Sequence, residues 1–246
     1  MINLSRISDQ TFLGKVLRAP LRLIPRTAVF PILQGPLRGK KWIIASSNHG
    51  CWLGSYEYEK RRVFQRAIKP GDVVYDIGAN VGFYTLLSSI LVGTEGRVYA
   101  FEPLPSNLRD LRKHQEINRI FNCTVIEAAV SSTEGEARFD PSPNRHQGRL
   151  SRTGTILVRK VSLDSLLRQG RINPPSVMKI DIEGAEFECL CGATETIRRH
   201  RPTIFLATHG TDVHAACLGL FAEWGYHVRP LDAHPIQCSS ELIAEP

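Results

Sequence analysis

The sequence predicts an α/β fold, a parallel sheet with helices on both faces. Three observations predict it. From Pro70 onward, short apolar runs alternate with segments of helical spacing. The runs are rich in Val, Ile, Tyr and Phe, as strands buried on both faces require. One run ends in an acid, crosses two glycines with three residues between them and opens into a helical pattern: VVYDIGANVGFYT, beginning at Val73.

The elements follow in order. Residues 1 to about 45 read as an irregular, basic lead-in punctuated by prolines. An N-terminal arm is therefore set at 1–47, with one domain over 48–246. Residues 48–69 begin as a Gly/aromatic loop and turn helical. Strands are expected at 73–77, 97–102, 123–130, 177–182 and 203–208, and helices at 83–92, 105–118, 186–200 and 213–224. Residues 141–154, PSPNRHQGRLSRTG, are polar and rich in turn formers, which predicts an exposed insertion.

Composition narrows the class. Of the 246 residues 42% are apolar and 22% charged, enough for one sizeable core. The six cysteines form no C-x-x-C pair, so a reducing, cytoplasmic setting is expected. The net charge of +7 is uneven: residues 1–70 hold 13 Lys/Arg against 3 Asp/Glu, and the remainder 18 against 21. Arg18, Arg22 and Arg26 alternate with Leu17, Leu21, Leu23 and Ile24. That pattern in residues 1–41 suits a peripheral membrane contact or an acidic partner; the alternative is a solvated arm packed on the body by its leucines. No apolar run has the length of a membrane span, and Pro20, Pro25 and the arginines break up any cleavable leader. The body is slightly acidic and carries no RNA-binding module, which disfavours nucleic acid.

The glycine stretch points to a ligand. In open α/β sheets ligands bind beyond the C-terminal strand ends. Gly78 and Gly82 permit positive φ and close backbone approach, and the helix after them offers free N–H groups. A dinucleotide fingerprint reads G-x-G-x-x-G; here Asp76 stands where the first glycine would be, which suits an ammonium better than a pyrophosphate. Glu102 ends the next strand, placed to accept two ribose hydroxyls. A nucleoside joined to an amino acid satisfies both, and S-adenosyl-L-methionine is that ligand.

The segments DIGANVGFYT, YAFEPLPSNLRDLRKH, VIEAAVSSTEGEARF, VSLDSLL and VMKIDIEGAEFECLCGA together resemble the FkbM-type methyltransferases. The resemblance covers roughly residues 48–210, and its most specific element is K-I-D-I-E-G-A-E. It implies a class I methyltransferase, Rossmann-like fold with a seven-stranded, mostly parallel sheet whose last strand pair is antiparallel. It implies S-adenosylmethionine-dependent O-methylation of a sugar, glycolipid or natural-product hydroxyl. By motif match Asp76, Gly78, Asn80 and Gly82 form the cofactor loop, with Phe83 after them. Glu102 holds the ribose with Pro103 beside it, and residues 127–130, Ala128 among them, lie near the adenine. Similar stretches to His49, Trp52, Tyr56 and Glu57 form a lid in the family, which brings Glu57 into the cofactor set.

Transfer to an alcohol needs alignment, exclusion of water and a proton acceptor or metal ion. Lys179, Asp181 and Glu183 alternate along one strand and its exit, so they share a face. Asp181 is the first candidate as base, substrate-orienting group or holder of the methionine amino group, and Glu183 the second. Lys179, in an apolar strand, is expected to pair with a carboxylate. Glu183 and Glu186 also suit the dipole of a helix start. His209 ends the run TIFLATH, a position for a general base. The family often carries an acid two residues earlier, where this chain has Ala207, so a metal role stays open. Other readings are an RNA methyltransferase using the basic arm, a non-catalytic cofactor-binding protein, and a nicotinamide oxidoreductase, the last disfavoured by the missing glycine.

Overall fold

A computed structural model describes Pro25 and residues 27–140, 149–150 and 154–246. The leucine-bearing part of the arm, with Arg18, Arg22 and Arg26, and most of the insertion lie outside the described residues.

The strands β3 (Val73–Ile77), β4 (Arg97–Phe101), β5 (Cys123–Ile126), β10 (Val177–Ile180), β11 (Thr203–Ala207), β12 (His227–Pro230) and β13 (Glu241–Glu245) form the main sheet. Their order is β12-β13-β11-β10-β3-β4-β5. β13 runs antiparallel to both β11 and β12, and the pairs from β11 to β5 are parallel, as expected. Side chains alternate between two cores. Tyr75, Ile77, Met178, Ile180 and Leu206 pack on one face. Val74, Val177 and Phe205 pack on the other, with helix α3 (Phe83–Leu91). α3 is buried along its first seven residues because it lies under a further layer; among its polar members Thr85 donates to Asp76 at 2.6 Å and Ser89 to the Thr85 carbonyl at 2.8 Å.

That further layer comes from the N-terminal segment. β1 (Val29–Pro31) and β2 (Lys41–Ile43) pair antiparallel where an irregular lead-in was expected. Ile32, Leu37, Trp42 and Ile44 are buried in the core that holds α3. Trp42 stacks on His114 at 3.8 Å between ring centroids. His114 belongs to α4 (Pro105–Asn118), whose bounds match the sequence reading. Its Nδ1 faces the Val81 carbonyl at 2.7 Å and its Nε2 accepts from the Ile43 amide at 3.0 Å. These partners require the neutral ring, and burial holds its pKa down to about 4. The short helices α1 (His49–Leu53) and α2 (Tyr58–Ala67) then lead into β3.

Two predicted elements are broken. The strand at 123–130 splits after Ile126: the Ala128 amide turns back on the Ile126 carbonyl at 2.9 Å, and β6 (Ala129–Val130) leaves the main sheet. β6 joins β7 (Gly135–Asp140), β8 (Arg149–Leu150) and β9 (Ile156–Val161) in a second sheet of order β6-β9-β7-β8. The helix at 186–200 divides into α6 (Glu186–Cys191) and α7 (Thr194–His200). Gly192 marks the break, because a Cβ there would come 2.1 Å from the Ser131 carbonyl oxygen. Between β9 and β10, α5 (Leu163–Arg168) starts at Ser162, whose hydroxyl accepts from the Ser165 amide. α8 (Thr211–Glu223) follows β11. Among the described residues no helix is long and apolar enough to cross a membrane, and the six cysteines are free.

Candidate active site

A cavity of about 390 Å³ opens beyond the C-terminal ends of β3, β4, β10 and β11. Glu57, Gly78, Asn80, Phe83, Glu102 and Pro103 line it, as do Ala128, Asp181, Glu183 and His209. Asp76 and Gly82, also expected in the cofactor loop, do not. Asp76 is fully buried behind the wall, and Gly82 is turned toward Leu111 at a φ of 92° that starts α3. Of the expected lid, Tyr56 and Glu57 reach the cavity. His49 and Trp52 do not line it; the Trp52 indole donates to His49 Nδ1 at 3.0 Å.

The glycine loop is held by two contacts. Gly78 sits at a φ of 77°, and a Cβ on it would come 1.9 Å from the Asp181 carbonyl oxygen. Only glycine lets the loop close onto the exit of β10 there. Asn80 is also left-handed, at a φ of 51°, and its amide donates to Glu102 Oε2 at 2.8 Å. Glu102 Oε1 accepts from the Leu104 amide at 2.9 Å and from Asn107 at 3.2 Å. Burial pushes the Glu102 carboxyl up, against these donors. Two carboxylate oxygens offer about four acceptor sites, so capacity remains on the cavity side.

Below this loop lies a charge network built around two buried lysines. Lys179 pairs in register with Asp76 across β10 and β3. Its Nζ is 3.6 Å from Asp76 Oδ1 and 3.5 Å from Asp181 Oδ2, and donates to the Gly78 carbonyl at 3.0 Å. The expected pairing of Lys179 thus holds with two acids. Lys60 of α2 adds a second cation, 2.7 Å from Glu241, 3.5 Å from Glu57 and 4.0 Å from Asp181. Burial works against the charge on Asp181, but Lys179, Lys60 and His209 outweigh it and bring its pKa down to about 2. Burial likewise opposes both lysines, and the surrounding acids hold them above their usual range. The Tyr84 hydroxyl donates to Glu57 at 2.7 Å, and both ammonium groups lie near its ring.

Sequence reasoning missed Lys60, Tyr84 and Glu241. Lys60 stands in the basic run EKRR and reads as a solvated face, although Glu57 three residues earlier was a usable signal. Glu241 carries no local signal. It enters because β13 returns antiparallel beside β11, a long-range event.

At the outer end His209 meets three acids. Its Nε2 lies 3.5 Å from Glu183 and 3.9 Å from Asp181 Oδ1, and its Nδ1 2.8 Å from Glu186 Oε1. The Glu186 hydrogen bond raises the His209 pKa against partial burial, helped by Glu183 and Asp181. Burial raises the Glu183 carboxyl, with His209 opposing. Donor atoms of Asp181, Glu183 and His209 lie within 4.8 Å of one another, a spacing that would also hold a divalent ion. Residues 128–130 line the cavity, while Glu127 turns outward to Arg112.

Comparisons with known proteins bear on the family and the fold. The Methyltransferase FkbM domain model matches residues 76–228. Hexuronic acid methyltransferase AglP of Haloferax volcanii is 30% identical over 145 residues, 58% of each chain. The 31-O-demethyl-FK506 methyltransferase FkbM of Streptomyces tacrolimicus is 38% identical over 66 residues, 25% of each chain. The chain thus matches less than two thirds of the length of either relative. A solved structure of methyltransferase FkbM from Methylobacillus flagellatus KT superimposes with a TM-score of 0.50 at 19% identity, over 80% of this chain and 53% of that one. With the seven-stranded order and the domain match spanning more than half its length, the chain belongs to the FkbM methyltransferase family and has the class I methyltransferase fold.

Proposed function

We propose that the chain is an S-adenosylmethionine-dependent O-methyltransferase whose acceptor is a hydroxyl of a sugar, glycan, glycolipid or natural product. The observation that carries this reading is the charge of the cavity floor. Four carboxylates, of Glu57, Asp76, Asp181 and Glu241, share two ammonium groups, of Lys60 and Lys179. The surplus of negative charge favours a cationic ligand, and S-adenosylmethionine carries a sulfonium and an ammonium. Glu102 would accept from its ribose hydroxyls, Ala128 and Pro103 would border its adenine, and Asp181 and Glu57 would face its charged end. When bound, it supplies an activated methyl group on sulfur.

The chain's own task is positioning and proton removal. Asp181 divides its carboxylate: Oδ2 faces the lysines and Oδ1 faces His209. Glu183 and His209 form the rim, where an incoming hydroxyl would be oriented and would lose its proton to His209 Nε2. The same donor set has metal-ligand chemistry, but the lysines beside Asp181 already neutralise part of its charge, which favours the proton-acceptor reading. The acid-rich rim also favours an uncharged hydroxyl over a free carboxylate as the reacting group. Sugar acceptors take support from the relative named for hexuronic acid.

Isothermal titration with S-adenosylhomocysteine, with NADH as control, tests the cofactor. Micromolar binding of the first and none of the second is expected; binding of NADH alone overturns the reading. Transfer of labelled methyl to a panel of glycosides, uronic acid glycosides included, then tests the acceptor class.

A further inference from the structure

We infer that Glu186 is a positioning residue that holds His209 in its Nδ1–H tautomer, so that Nε2 is the atom that receives the acceptor's proton. The inference rests on the methyl-transfer reading and adds the role of the last acid in D-I-E-G-A-E. Glu186 is fully buried and does not line the cavity. Its Oε1 faces three nitrogens: the amides of Gly184 at 3.0 Å and Ile182 at 3.4 Å, and His209 Nδ1 at 2.8 Å. The two amides can only donate, so Oε1 is an acceptor and Nδ1 must bring the proton. The loop is folded for this purpose. Glu183 and Gly184 are both left-handed, at φ 55° and 104°, and the turn between them aims both amides back at the first side chain of α6.

With Nδ1 committed, a neutral His209 presents a lone pair at Nε2, on the side where Glu183 and Asp181 Oδ1 lie. The acceptor O–H bond breaks and its proton forms the Nε2–H bond. The oxygen's electron pair goes into the new C–O bond as the C–S electrons return to sulfur. The resulting imidazolium is flanked by Glu186 on one nitrogen and by Glu183 and Asp181 on the other, with Lys179 on the far oxygen of Asp181. This is the division of labour of a hydroxyl, imidazole and carboxylate relay, in which the carboxylate orients the ring.

The test is long-range ¹H–¹⁵N correlation spectroscopy of the full ¹⁵N-labelled chain between pH 5 and 9, with His209→Asn identifying the signal. The parent is expected to show the Nδ1–H tautomer when neutral. Glu186→Gln keeps an acceptor oxygen but loses the charge. It is expected to keep the tautomer and to take up its proton at a lower pH than the parent does. Glu186→Ala is expected to lose the tautomer preference as well. A parent in the Nε2–H form, or a Glu186→Gln variant that titrates where the parent does, overturns the inference. S-adenosylhomocysteine titration runs alongside. A variant that binds like the parent is folded, and a parent that does not bind defeats the functional reading while leaving the tautomer result intact.

Discussion

The floor and the rim of the cavity use the same kinds of residue in opposite ways. The floor is built on strands: Lys179 faces Asp76 across a parallel pair, and Asp181 follows one residue after β10 ends. Its two lysines and Asp76 are buried, and the partly exposed carboxylates of Glu57, Asp181 and Glu241 close around them at fixed distances. The rim is built on a turn and a strand exit, and Glu183 and His209 are partly exposed. Burying ions is costly unless each is paired, so the floor can serve only one geometry. The rim carries acids without lysines of its own, and they raise the pKa of His209. Pre-organisation lies with the cofactor end and adjustable protonation with the acceptor end. Asp181 joins them, one oxygen on each side.

This contrast can be broken at its strongest point first. Lys179→Met leaves Asp76 and Asp181 without their shared cation. It should cost about 3–5 kcal/mol of unfolding free energy in urea, with binding of S-adenosylhomocysteine lost. A loss below about 1 kcal/mol would mean that the floor is not held by charge.

Acid should find Asp181 next. Its pKa is depressed to about 2, so its contribution is present above the ordinary carboxylate range and is lost as pH falls toward 2. The difference in stability between the parent and Asp181→Asn should shrink by on the order of 2 kcal/mol between pH 5 and 2. Subtracting the variant matters, because burial shifts Asp76 and Glu102 the other way. At neutral pH the same variant should lose methyl transfer far more than it loses folding.

Glu102→Gln sharpens the comparison from the cofactor side. The amides that hold Glu102 remain, but a charged acceptor is gone, and affinity for S-adenosylhomocysteine should fall about tenfold by calorimetry. The smallest effect belongs outside both regions. Arg168 pairs with Glu195 on the surface, and Arg168→Ala should change stability by less than about 0.5 kcal/mol.

The residues show why some of this was legible in sequence. Local patterns gave β3 and α4 with their observed bounds, because a run of apolar residues and a Pro-led helix each declare themselves within a few positions. Ten of the twelve candidate residues line the cavity for the same reason, since strand ends and glycine turns are local features. Asp76 looked like a ligand because its position at the strand end was right; its side chain, one face over, meets Lys179 instead. Glu241 and Lys60 were illegible because their meaning depends on where β13 and α2 dock. The breaks at Ala128 and Gly192 were missed for a related reason. Each is imposed by another segment, and neither leaves a proline to mark it.

The His114 clasp has a consequence far from the chemistry. The ring must be neutral to receive the Ile43 amide, so a proton taken up at Nε2 would set one N–H against another. A histidine with a depressed pKa weakens its folded state as pH falls from the free value of about 6.5 toward about 4. That window lies above the one in which Asp181 is protonated. Mild acidification should therefore unfasten the β1–β2 layer from α4 while Asp181 is still ionised. Acid then reaches the cover over α3 before it reaches the carboxylate that joins floor to rim.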